Sequence, residues 1–139
     1  MKIDGKKATI NAGQNKVFQF LSNFNNYEKL MPDQIVNWQS DEDTCSFTIK
    51  GMADIKLKFA RKESPGLLEL VPEGKTPVNF TLLVRIEPDA LNEQKSEVRV
   101  HVDADLNPML AMFAKKPFEN LANTISGELQ KVFENKQTP

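Results

Sequence analysis

Apolar residues recur along this chain with two periods, and the period changes twice. Residues 2 to 10, KIDGKKATI, alternate loosely and predict a first strand with an edge-like share of lysine. Asn11 and Gly13 interrupt it. Val17, Phe18, Leu21 and Phe24 then follow at steps of one, three and three, predicting a short helix from about Gln14 to Ser22. Asn25 can cap a second short turn carrying Tyr27, Leu30 and Met31, which Pro32 terminates. From Ile35 the period becomes two. Strands are predicted over Ile35–Ser40, TCSFTIKG, ADIKLKFARK, LLELV, Phe80–Glu87 and Glu97–Leu106. Cys45, Phe47 and Ile49 share one face of the second of these, and Ile55, Leu57 and Phe59 one face of the third. In the last, Val98, Val100, Val102, Ala104 and Leu106 alternate with Glu97, Arg99, His101, Asp103 and Asp105. Strands with one apolar and one polar face, joined by short turns such as ESPG, belong to an antiparallel sheet buried on one side.

The period returns to three and four after Leu106. Asn107 and Pro108 supply an N-cap and a first-position proline. Leu110, Ala114, Phe118, Leu121, Ile125, Leu129 and Val132 mark one face of a helix reaching Glu134, about 39 Å long at 1.5 Å per residue. A helix of that length needs a long apolar surface. The predicted fold is therefore α+β: a curved seven-stranded antiparallel sheet wrapped round the long C-terminal helix, with two short helices after the first strand. The first two helical turns break the pattern, because Met109, Leu110, Met112 and Phe113 form an apolar collar. Such a collar implies burial on several sides or contact with an internal cavity, and methionine suits a lining that adapts to its ligand. Pro117, in mid-helix, removes the bond to the Phe113 carbonyl and predicts a bend there.

Composition narrows the classes. A chain of 139 residues fits one domain, spanning 1–139, and the formal net charge of −1 leaves no basic block for nucleic acid and no polybasic tail for an anionic membrane. One cysteine allows no disulfide framework and no cysteine metal cluster. The opening residues lack the apolar core of a signal peptide, and no run reaches the ~20 apolar residues of a membrane span. A cytoplasmic protein without an integral membrane segment is expected.

Candidate chemistry is sparse. His101 falls on the wet face of its strand, and Cys45 among buried apolar neighbours, where a thiol is structural. Asp103 and Asp105 both fall outside, and Asp41, Glu42 and Asp43 form an acidic turn. No catalytic triad, metal-ligand spacing or phosphate-cradling glycine loop occurs, and no metal or cofactor is expected. The inward positions of the central strands carry no acid or base. Such an interior can bind but has little with which to move protons.

The segment order, the passage NAGQNKVFQFLSNFNNYEKLMP, the strand TCSFTIKG, the pair VNFTLLVRIEP and EVRVHVDADLNP, and the long final helix resemble the helix-grip superfamily. That superfamily includes START lipid-transfer domains, the major birch pollen allergen and polyketide cyclase/dehydrase-like (SRPBCC) proteins. The resemblance implies a hydrophobic cavity between sheet and C-terminal helix, with its mouth near the start of that helix. It points to Phe24, Tyr27 and Met31 from the short helices, Phe47, Ile49, Ile55, Leu57, Phe80 and Leu82 from the strands, and Met109, Met112 and Phe113 from the helix. Where plant members carry a glycine-rich loop, this chain has the acidic turn SDEDT. The expected function is binding or carriage of an apolar or amphipathic small molecule, such as a lipid, isoprenoid or polyketide-like compound. Two alternatives stand beside it. One is a protein-interaction module on the same fold, with a protein partner. The other is a polyketide cyclase/dehydratase-like enzyme, for which Tyr27, Asn37 and Asn79 are the inward polar candidates.

Overall fold

The computed structural model describes residues 1–76 and 78–134. Within them run β1 (Lys2–Asp4), β2 (Ala8–Ile10), α1 (Gln14–Leu21) and two 3-10 turns (Phe24–Asn26 and Glu28–Leu30). Then follow β3 (Ile35–Ser40), β4 (Thr44–Ile49), β5 (Ala53–Glu63), β6 (Leu67–Pro72), β7 (Asn79–Pro88), β8 (Ser96–Asp105) and α2 (Pro108–Glu134). The strands form one antiparallel sheet in the order β1-β8-β7-β6-β5-β4-β3, and β2 also pairs with β8. The expected first strand is thus two. Gly5 divides it, donating its N–H to the Val100 carbonyl at 2.8 Å. A Cβ at Gly5 would meet that oxygen at 2.7 Å and the Ala122 side chain of α2 at 3.1 Å. Only a residue without a side chain lets this edge fold so closely over the helix.

The helix starts where its capping residues predict. The Asn107 side chain accepts from the Leu110 N–H at 2.9 Å, and Pro108 occupies the first helical position. Ala114, Phe118, Leu121, Ile125 and Leu129 form the buried stripe, joined at the far end by Phe133; Val132 is half-buried. The helix continues through Pro117 without interruption. Opposite it, the inner sheet face is built from the strictly alternating positions of β4, β7 and β8. Phe80 meets Phe118 with ring centroids 5.0 Å apart, locking helix to sheet near their middle.

Strand β3 departs from alternation. Its register against β4 shifts between Val36 and Gln39, and Asn37 adopts a positive φ of 58°. The extra residue is a bulge, and asparagine is among the few residues that accept that conformation. It turns Trp38 onto the inner face, where its indole stacks on Phe47 at 5.5 Å and 8°. The two short helices predicted after the first strand are one α-helix followed by the pair of 3-10 turns. None of the described helices is long and apolar enough to cross a membrane.

Candidate functional site

The antiparallel order brings the end of β4, the start of β7 and the end of β8 to one rim of the sheet, beside the first turns of α2. A groove of about 300 Å³ opens there. Its walls are Lys50, Gly51 and Met52 from the β4–β5 turn, Val78 before β7, Leu106 after β8, and Leu110, Phe113, Ala114 and Pro117 from α2. The turn is set by Gly51, at φ 74°, and anchored by the Lys50 N–H donating to the Gln34 carbonyl at 2.9 Å. Apolar side chains dominate the walls, and Lys50 is the charged residue among them. Because Pro117 has no N–H, the Phe113 carbonyl on the same wall lacks its i+4 helical donor. The site therefore combines an apolar trough with one cation and one under-used acceptor.

The residues predicted to line a cavity fall into three groups. Phe47, Ile49, Ile55, Leu57, Phe80 and Leu82 are buried on the inner sheet face. Phe24 and Tyr27 are buried under the 3-10 turns, where the Phe24 ring stacks on Phe59 at 4.2 Å, and Met31 packs half-buried against the same core. Phe113 lines the groove, whereas Met109 and Met112 do not. The collar is exposed rather than enclosed: Met109 is 71%, Met112 82%, Phe113 73% and Leu110 40% accessible. At 100° per residue, Met109 and Met112 lie opposite the buried stripe of Ala114, Phe118 and Leu121, and Phe113 lies on its flank at the edge of the groove, so all three remain largely exposed.

Leu110, a member of the apolar collar, also lines the groove; Lys50, Gly51, Met52, Val78, Leu106, Ala114 and Pro117 complete it and were not singled out as site residues by their pattern. Most sit just outside the alternating runs. The available signal was that Met52, Val78 and Leu106 are apolar residues placed at strand ends, which an antiparallel meander brings to one rim.

The polar candidates lie elsewhere. The Tyr27 hydroxyl donates to the Leu21 carbonyl at 2.7 Å, and burial pushes its phenol above the ordinary range. Asn37 and Asn79 are exposed, and the Asn37 amide donates to Thr48 Oγ1 at 3.3 Å on the outer face. Cys45 is buried, and desolvation pushes its thiol up to about 12, which suits a structural role. His101 is more sheltered than its strand pattern suggests, at 22% side-chain exposure, because β1 pairs alongside and sets Asp4 Oδ1 2.7 Å from its Nδ1. In the acidic turn the Thr44 and Asp43 N–H groups donate to Asp41 and hold its carboxyl below the usual range. Among the described residues, no three histidines, cysteines or carboxylates gather as a metal site.

No protein-family model matches the chain, and no curated protein matches it in sequence. Solved structures do match in three dimensions. A START superfamily protein from Mycobacterium smegmatis superposes with a TM-score of 0.70 at 11% identity, covering 98% of this chain and 99% of that one. Norcoclaurine synthase from Thalictrum flavum, solved with a transition-state analogue, gives 0.72 at 9% identity, with 99% and 96% covered. A di-domain ARO/CYC from the BE-7585A biosynthetic pathway gives 0.67 at 13% identity, all of this chain matching 48% of that one. Identities this low speak for the fold and no further. On topology, helix placement and these superpositions together, the chain has the helix-grip fold that these proteins, a START superfamily member among them, also adopt.

Proposed function

We propose that the protein binds an apolar or amphipathic small molecule in the groove between the β4–β5 turn and the first turns of α2. The observation that carries this is the groove's lining, with Met52, Val78, Leu106, Leu110 and Phe113 converging on one trough and Lys50 at its rim. A volume of about 300 Å³ lies at the small end of ligand pockets, matching a compact ligand or one segment of a longer chain. Flexible methionine and phenylalanine walls favour a range of shapes over one rigid fit. The placement of this groove agrees with the mouth that the helix-grip resemblance implies. Lipid, isoprenoid and polyketide-like compounds are the ligand classes in view.

The cyclase reading needs an acid or base at the groove. Tyr27, Asn37 and Asn79 do not line it.

Native mass spectrometry of freshly purified protein, followed by titration with a lipophilic fluorescent dye, tests the proposal. Retained small molecules, or dye binding that Leu110→Asp abolishes, are the expected results. Protein that carries nothing and never takes up dye would overturn it.

A further inference from the structure

The exposed ridge of α2 has no role in holding the fold. Met109 and Met112 project on the side of the helix away from the sheet, and the largely exposed Phe113 and Leu110 link that ridge to the groove. Lys116 lies on the same face one turn later, since 109, 112, 113 and 116 follow the i, i+3, i+4, i+7 rule. Lys115 stands beside it, and Lys50 sits across the groove on the β4–β5 turn. Among the described residues none of these three lysines takes part in an ion pair, and no acid occurs between Leu106 and Phe118. The basic residues come from two separate parts of the chain, so they form no polybasic run; folding gathers them.

We propose that this ridge is a docking surface for a lipid bilayer bearing anionic headgroups. An apolar helix face flanked by lysines is the arrangement that lies in the headgroup boundary, with its side chains immersed about 5–10 Å and its cations among the phosphates. The five positions from Met109 to Phe113 rise only about 6 Å along the axis, which fits a shallow contact rather than an insertion. Size separates the bilayer from a second copy of the chain. Even credited with ~250 Å² each, the area of a large aromatic, four side chains at these exposures offer under ~700 Å². A stable protein interface takes about 800 Å² per partner, and a bilayer sets no such minimum. The docked ridge would turn the mouth of the groove toward the lipid, but docking does not depend on the groove's having a ligand.

Co-sedimentation with vesicles tests this, using phosphatidylcholine alone and an equal mixture of phosphatidylcholine and phosphatidylglycerol. The wild-type chain should pellet with the mixed vesicles at low salt, less with the neutral ones, and progressively less as salt screens the lysines. The double substitution Met109→Asp/Met112→Asp lies outside the groove and should abolish pelleting while leaving dye binding and the circular dichroism spectrum unchanged. Lys115→Glu/Lys116→Glu should lower partitioning by more than about tenfold, at roughly fivefold per lysine. The proposal is overturned if the wild-type chain stays in the supernatant with both vesicles or if the methionine variant pellets like wild type. Equal binding to both vesicle types would remove the anionic requirement. Concentration-dependent association in sedimentation velocity that the methionine variant abolishes would assign the ridge to a second copy instead.

Discussion

Phe118→Ala probes the joint on which the helix grip depends. Phe118 is fully buried, and its ring faces Phe80 at 5.0 Å with the planes tilted by 51°. Truncation removes a whole aromatic ring from a site walled by β7 on one side and by its own helix on the other. Neither wall can collapse easily, so the loss falls in the ~3–5 kcal/mol range of large-to-small aromatic substitutions. Of that, about 0.5–1.5 kcal/mol belongs to the ring pair, which a double-mutant cycle with Phe80→Leu isolates. Against a total of ~5–15 kcal/mol for a domain, the variant remains folded but is severely weakened. With a urea dependence of about 2 kcal/mol per molar, the midpoint should fall by about 2 M. Trp38, the sole tryptophan and stacked on Phe47, supplies the fluorescence signal for the titration. A second readout follows from position. Val78 and Ala114 line the groove, and Phe80 and Phe118 are the next buried residues inward on the same strand face and helix stripe, so a void left at Phe118 would lie just behind that lining. The variant should therefore take up more lipophilic dye than wild type. A stability loss below ~1 kcal/mol would refute the view that this pair clamps helix to sheet.

Three further outcomes are expected. Tyr27→Phe leaves the Leu21 carbonyl without its buried donor and should cost about 1–2 kcal/mol by urea unfolding, with the fold unchanged. For Cys45 the thiol is raised from 9.0 to about 12 by burial, so the unfolded chain releases its proton first as pH rises and stability falls. Between pH 8 and 10 the thiol's share of the loss should be about 1.4 kcal/mol, and Cys45→Ala should remove that share whatever its effect at neutral pH. Asn107→Ala deletes the cap on the first turn of α2, should cost about 1 kcal/mol, and should speed hydrogen exchange at the Leu110 amide.

The sheet was legible because its strands alternate so regularly. In β8 every second residue from Ser96 to Ala104 is buried, and a one-residue slip would put them all in water. The start of α2 was equally plain from Asn107 and Pro108. Three features were not. The break at Gly5 depends on how closely Ala122 passes, a contact between residues far apart in sequence. The bulge at Asn37 depends on pairing with β4, which local propensity does not report. The exposure of Met109, Met112 and Phe113 depends on what the rest of the chain leaves uncovered. Periodicity marks a face as apolar and cannot say whether anything packs on it. For the same reason the sheet side of the groove was hidden, since Met52, Val78 and Leu106 are strand-end residues made neighbours by topology.

The closeness of Gly5 and its neighbours to α2 has a consequence for when the protein can fold. The Lys6 N–H donates to Asn123 Oδ1, a partner 117 residues further along the chain. At ribosomal rates of ~5–20 residues per second, that partner follows roughly 6–23 s after Lys6 is made. β8 is complete shortly before that partner, but until α2 follows the inner sheet face has no helix to cover it. Contacts this distant in sequence form slowly in any case. A nascent chain stalled before Pro108 would carry all its strands and none of α2, presenting Phe47, Ile55, Phe80 and Leu82 to whatever surrounds the ribosome. Truncation within the final helix should thus yield sticky, chaperone-dependent chains, and the integrity of the last helix becomes a condition for release of the rest in soluble form.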